Sequence, residues 1–256
     1  MDVTNFVTAS EASIQAFKTA TLLKSLTVNA LIMGENGVGK RSLASFILPH
    51  ATTIDGSHHE ELFQAIESSN EIIIKNIDNF PNIKLLVDSI KKNNVRVIAT
   101  SKHLFSNEYL DDIFSIKFDI PPLQERQEDV KELIDIFVQD AIKLFGGDNK
   151  FNIKNFTPDL SENANSLRRQ VMISYLLQDI NDQELMNIIE NYLFDKLGSN
   201  SDYRNYLYLY EVPLIRAGLT RFKSQLQLSD RLGLNRNTLR KKISENKEYL
   251  QGENNE

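Results

Sequence analysis

The stretch Gly34-Glu35-Asn36-Gly37-Val38-Gly39-Lys40 has the spacing with the most chemistry in it. Glycines placed this way let consecutive backbone N–H groups turn inward around phosphate oxygens. A helix beginning just behind them adds partial positive charge at the same point. Lys40 is placed to reach the β- and γ-phosphates of a nucleotide. Gly34, Glu35, Asn36, Gly37, Val38, Gly39, Lys40, Arg41 and Ser42 are therefore read as nucleotide-binding, with ATP or ADP as the ligand. The residue after Lys40 should be Ser or Thr if it is to hold magnesium. Arg41 stands there and Ser42 comes one step late, which leaves Mg2+ without its usual hydroxyl. Hydrolysis needs an Asp, usually with a Glu, at the end of a nearby strand. The apolar run Ile72-Ile73-Ile74 ends instead in Lys75-Asn76, and Asp78 reads as a turn residue. No catalytic residue and no metal ligand is assigned on this pattern. His58-His59-Glu60-Glu61 has the wrong spacing for a helix-borne metal motif and reads as a solvated loop.

A second chemistry sits near the other end, in Leu232-Gly233-Leu234-Asn235-Arg236-Asn237-Thr238-Leu239-Arg240-Lys241-Lys242-Ile243. Gly233 suits the tight turn of a helix-turn-helix, and Asn235 can cap the helix that follows. Asn235, Arg236, Asn237, Thr238 and Arg240 then occupy the first turns of that helix, where such an element meets base edges. Lys241 and Lys242 are placed for phosphates. Leu232, Leu239 and Ile243 supply the apolar contacts that would seat the helix on its partner.

The elements that must position these residues can be read from periodicity. Residues 11–26 form an amphipathic helical pattern, Val28 to Met33 a buried strand, and Arg41 to Leu48 a helix stopped by Pro49. Helix 60–68, strand 71–74, helix 83–92 and strands 95–99 and 116–120 follow, which predicts a parallel sheet in an α/β domain. From Gln127 the pattern is helical, over 130–145, 166–177 and 182–196, with a loop at Gly146-Gly147-Asp148-Asn149. Gly198-Ser199-Asn200-Ser201-Asp202 reads as a linker, followed by helices over 203–221, 224–231 and 235–248 and a polar tail from Gly252.

Composition removes whole classes. The 256 residues are 41% hydrophobic and 25% charged, ordinary globular proportions, and contain no Cys, so disulfide frames and thiol chemistry are out. No apolar run is long enough to span a membrane, and Met1 to Asn5 lacks a signal-peptide pattern, so a cytoplasmic location without membrane partners is expected. The net charge of −6 conceals an asymmetry: residues 211–250 hold nine Lys or Arg against four acids, a local excess of +5. A basic module on an acidic body points to a polyanion contact at one end.

On these residues the chain resembles bacterial enhancer-binding proteins, the activators of the sigma-54 class. Gly34 to Lys40 followed by Ala44 is similar to that family's phosphate loop, which also lacks the Ser or Thr after its Lys. Val95-Arg96-Val97-Ile98-Ala99-Thr100 resembles the sensor I strand, and Ile120-Pro121-Pro122-Leu123-Gln124-Glu125-Arg126-Gln127-Glu128-Asp129-Val130 the hinge into the lid. Ser166-Leu167-Arg168-Arg169 is similar to the sensor II helix, which adds Arg168 to the nucleotide-binding set. Residues 211–243 resemble the Fis-type helix-turn-helix. The resemblance implies an AAA+ nucleotide-binding core over 1–122, a helical lid over 123–198 and an all-α DNA-binding domain over 199–256.

The departures from that family are specific. No GAFTGA insertion fits in the short segment from His50 to Asn70, and the loop before sensor I is reduced to Lys91-Lys92-Asn93-Asn94. The acidic strand-end positions fall on Lys75 and Asn76, and the intersubunit arginines on Ser106 and Asp112. The expectation is a DNA-binding transcriptional regulator with a degenerate AAA+ core. Its partners would be double-stranded DNA, a second copy of itself through the C-terminal domain, with the tyrosines from Tyr203 to Tyr210 as packing or dimer contacts, and RNA polymerase or its sigma factor. An active ATPase that remodels sigma-54 polymerase, and a nucleotide-free interaction scaffold, are the competing readings.

Overall fold

The computed structural model describes residues 6–102, 105–147, 151 and 156–250. Met1 to Asn5, the loop residues Asp148 and Asn149, and the tail from Gly252 lie outside the described residues. The chain divides into two compact units, residues 1–180 and 181–256. Of the three helices expected in the lid, the first two fall in one unit with the sheet and the third, over 182–196, falls in the other. The boundary comes at the end of the second lid helix, ahead of the linker at 198–202 where the sequence pattern places it.

The first unit runs α1 (Glu11–Ser25), β1 (Ala30–Gly34), α2 (Lys40–Ile47), β2 (Thr52–Asp55), α3 (His59–Ser68), β3 (Glu71–Lys75), α4 (Ile83–Asn93), β4 (Arg96–Thr100), α5 (Glu108–Asp111), β5 (Ile116–Ile120), α6 (Gln127–Phe145) and α7 (Ala164–Leu177). Its described strands form a five-stranded sheet in the order β2-β3-β4-β1-β5, all parallel. The central strands are unbroken apolar runs because both faces are covered by helices. One face buries Leu31, Ile72, Ile74 and Val97 with Leu62, Leu86 and Ile90; the other buries Ile32, Ile73 and Ile98 with Ala20, Leu23 and Leu43. The parallel order brings the C-terminal ends of β1, β3 and β4 to one edge, which is where an open α/β sheet binds ligands. α6 and α7 pack on each other through Ile134, Val138, Leu167 and Val171, and both border the cleft at that edge.

β2 and α5 were not foreseen. β2 is a four-residue edge strand in which only Ile54 is fully buried, too short to leave a periodic signal. His59 opens α3 rather than lying in a loop, and among the described residues no cluster of His and acidic side chains could hold a metal ion.

The second unit contains α8 (Asp182–Phe194), α9 (Asp202–Tyr206), α10 (Tyr208–Phe222), α11 (Gln225–Leu232), α12 (Arg236–Glu245) and α13 (Lys247–Leu250). The helix expected over 203–221 is broken at Leu207. Pro213, which has no N–H to give a carbonyl in the preceding turn, sits inside α10. The helix expected over 235–248 likewise ends at Glu245 and restarts as α13. Ile215, Leu228 and Leu239 make the buried centre, closed by Leu219, Phe222, Leu232, Ile243 and Leu250. No helix among the described residues is long and apolar enough to cross a membrane.

Candidate functional site

The phosphate loop leaves β1 at Gly34 and enters α2 at Lys40. Gly37 and Gly39 hold φ of 81° and 106°, a region side-chain-bearing residues rarely adopt. Gly39 caps α2 without a side-chain oxygen, so the first-turn N–H groups of that helix keep their donor capacity for a ligand. Lys40 is buried. Its ammonium donates to the carbonyl oxygen of Glu35 at 2.7 Å and to that of Gly34. Burial pulls its pKa down, while the negative fields of Asp78, Asp119 and Glu35 act the other way. Arg41 is exposed and Ser42 half-buried. The loop borders a cleft of about 480 Å³, within the range of small-molecule sites, walled on other sides by Phe6, Lys75, Thr100 and Arg168.

Two elements that sequence reasoning missed hold the loop in place. Asn163, just before α7, donates from Nδ2 to the carboxylate of Glu35 and to the carbonyl of Asn36, each at 2.9 Å. Its Oδ1 accepts the Leu123 N–H at 2.7 Å, and the Ala164 N–H donates to the Gly37 carbonyl at 3.3 Å. A Cβ on Gly37 would run into the Glu162 carbonyl, so this glycine serves both the loop turn and the close approach of the segment leading into α7. The second element is a buried polar cluster. Asp129 accepts the N–H groups of Ala9 at 2.9 Å and Ser10 at 2.8 Å, and the hydroxyls of Ser10 and Ser13. Arg126 donates to Asp129 at 3.1 Å and to the Val38 carbonyl at 3.0 Å. The Phe6 ring lies against Gly39, 2.7 Å from where its Cβ would be. The Arg126–Asp129 spacing of three was visible in the hinge motif, whereas its partners lie far off in the chain.

Arg168 lies on α7, bordering the cleft, with its guanidinium 3.4 Å from the Asp140 carboxylate and 6.0 Å from the Phe137 ring centre. Its buried Nε has no hydrogen-bond partner among the described residues.

Lys75 and Asn76 close β3 on the cleft. Asn76 takes a left-handed φ of 49°, donates its N–H to Thr100 Oγ1 at 3.1 Å, and its Nδ2 to Asp55 at 2.8 Å. The Lys75 ammonium stands 4.0 Å from the same Asp55 carboxylate. Burial would raise the Asp55 pKa. The Ser57 N–H and hydroxyl, the Asn76 amide and the Lys75 charge outweigh that and hold it below the ordinary 3.8. Asp78, in the turn after β3, is engaged by the Lys102 N–H at 3.3 Å and ammonium at 3.4 Å. A divalent cation does not fit this donor set: an ammonium and an amide occupy the acidic positions, and a guanidinium follows Lys40. Asp112, where the resemblance places an intersubunit arginine, pairs with Lys91 at 3.2 Å.

In the second unit, α11 ends at Gly233, whose φ of 63° turns the chain while the Leu234 N–H closes on the Ser229 carbonyl at 3.0 Å. Asn235 Oδ1 accepts the Asn237 N–H at 2.8 Å and caps α12. Leu239 is fully buried, whereas Arg236, Asn237, Thr238, Arg240 and Lys241 are exposed. Lys241 pairs with Glu245 one turn on, at 3.7 Å. Lys242 departs from the sequence reading. Three residues past Leu239 it shares the inward face, and its ammonium bonds Glu211 of α10. It ties two helices together instead of joining the outward basic face. Tyr208 stacks on Tyr249 with centroids 4.8 Å apart, and Tyr206 donates to the Lys196 carbonyl at 3.0 Å, while Tyr203 and Tyr210 are exposed. α8 is capped by Asn181 and Glu184, yet among the described residues it buries none of its own. Leu185, Met186, Ile188, Ile189 and Tyr192 all stand exposed.

No family model and no curated protein matches the sequence. Solved structures do. NtrX from Brucella abortus in complex with ADP is 14% identical over 96% of this chain and 69% of its own, with a TM-score of 0.61. The complex of NtrX with ATP is 16% identical over 93% of this chain and 69% of its own, with a TM-score of 0.57. A third NtrX structure is 17% identical over 93% and 68%, with a TM-score of 0.55. At such identities the likeness is one of fold alone, an α/β fold built on a parallel sheet.

Proposed function

We infer that the chain is a DNA-binding transcriptional regulator whose AAA+ core takes up ATP or ADP as a conformational signal without hydrolysing it. The observation that carries the reading is the N-terminal half of α12. It is capped by Asn235, anchored from below by buried Leu239, and presents Arg236, Asn237, Thr238 and Arg240 outward together. A helix offered this way matches the major-groove readers, in which Arg pairs with guanine edges and Asn with adenine. Lys241 adds a phosphate contact.

The nucleotide half of the reading rests on the glycine loop, the free first turn of α2 and the cleft beside Lys40 and Arg168. The related NtrX structures hold ADP or ATP. Lys75 and Asn76 where hydrolysis needs carboxylates support binding without turnover. One recognition helix makes few base contacts, so a homodimer reading two half-sites about one helical turn apart is the fitting assembly. The exposed apolar side of α8 and the tyrosines Tyr203 and Tyr210 supply contact surface for it. RNA polymerase or its sigma factor is the further partner in this reading, engaged by some surface other than the missing GAFTGA loop. The test is a gel shift on genomic fragments with the intact chain and with Arg236→Ala and Arg240→Ala. Each variant should lose about 1–3 kcal/mol of specific binding. Unchanged binding would reject the assignment.

A further inference from the structure

The cleft carries a cation of its own at the end of β3, where nucleotide hydrolysis needs a metal-binding acid. This step rests on the nucleotide reading above. Lys75 lies at the C-terminal end of β3, on the same cleft as Lys40 and Thr100, with its side chain 33% exposed and loosely held by Asp55 at 4.0 Å. Asp55 is otherwise committed to Asn76 and Ser57. The Thr100 hydroxyl oxygen is taken up by the Asn76 N–H. Of the acids on the cleft, Asp129 is bound by Arg126, Asp140 by Arg168 and Glu35 by Asn163. The cations on the cleft are Lys40, Arg41, Lys75, Arg126 and Arg168, five against those three acids. Asp78, whose field also reaches Lys40, is engaged by Lys102. A nucleotide arriving with a divalent cation would set that ion against the Lys75 ammonium, with each carboxylate that lines the cleft already engaged.

We propose that the cleft binds the metal-free form of a nucleoside di- or triphosphate, with the Lys75 ammonium in the position of the divalent ion. Lys40 and the α2 N–H groups hold the phosphates from one side and Lys75 neutralises them from the other. Metal-chelated nucleotide, the ordinary intracellular form, is then the poorer ligand. The core responds to free ATP or ADP, and rising magnesium competes against it.

Calorimetric titration of the full chain with ATP and with ADP, in EDTA and again in excess magnesium, tests this. The expected result is binding in EDTA at least as tight as in magnesium. Lys75→Ala should weaken the EDTA binding about tenfold or more, Lys75→Arg should retain it, and Lys75→Asp should shift binding toward dependence on magnesium. Thermal melting of each variant checks that the fold is kept. Binding by the native chain that appears only with magnesium overturns the proposal and leaves the nucleotide reading standing. So does EDTA binding that Lys75→Ala leaves untouched. Absence of binding in both buffers overturns the nucleotide reading and this proposal with it.

Discussion

Lys40 spends its hydrogen bonds on the carbonyls of Glu35 and Gly34, inside the loop it belongs to. A phosphate entering the loop offers the same ammonium a charged acceptor, which is the stronger bond. Lys40→Ala should therefore weaken ATP and ADP binding by at least about tenfold, measured by calorimetry, with little loss of thermal stability. Asp55 gives a pH signature. Its carboxylate is favoured in the folded chain, so the stability it contributes is complete above the ordinary 3.8 and is lost as pH falls through its lowered folded value. Melting temperatures of the native chain and of Asp55→Asn should differ most near neutrality and converge in acid. A constant gap would mean that the Ser57, Asn76 and Lys75 contacts do not favour the charged form. At this scale the sequence was legible where chemistry is local. The glycines, Lys40, Asn235 and the outward Arg236 and Arg240 all stand where their spacing placed them. Asn163 and the Asp129 cluster were not legible, because their partners lie far away in sequence and no periodic pattern marks such a bond. Lys242 could have been found from its distance to Leu239, three residues on the same face.

Among the elements, α10 and α11 depend on a close approach at a glycine. A Cβ on Gly218 of α10 would enter the space of the buried Leu228 side chain. Gly218→Ala should cost about 1–3 kcal/mol by overpacking, and Leu239→Ala about 2–5 kcal/mol by leaving a cavity. Both losses should appear in unfolding of residues 181–256, read by hydrogen exchange, while the sheet keeps its protection. Equal loss of protection across the sheet would contradict the independence of the two units. The elements with clear periodicity, α1, α4, α6 and the central strands, were readable within a few residues. β2 was not, since an edge strand needs apolar residues on one side only and this one is four residues long. The break at Leu207 carries no turn residue of its own, and Pro213 lies beyond it, inside α10. The membership of α8 was equally hidden: an amphipathic pattern says that a face needs cover and not which partner provides it.

The second unit carries both basic charge and uncovered apolar surface, the two features that a dimer on DNA would use in the reading proposed above. Residues 211–250 hold the basic excess, and α8 presents its uncovered apolar side within the same unit. Ile188→Glu should shift sedimentation from dimer to monomer and weaken DNA binding in parallel. A native chain that sediments as a monomer at all concentrations would remove the dimer from the picture. Exposed Arg236, Arg240 and Lys241 predict a binding constant that falls steeply as salt rises. Everything proposed for function rests on α12 entering a groove of duplex DNA. Genome-wide footprinting of the purified chain, beside the Arg236→Ala/Arg240→Ala double variant, addresses that directly. Discrete two-fold sites with half-sites about one helical turn apart, all lost in the variant, are the predicted result. Protection without sequence preference, or sites that survive in the variant, would contradict it.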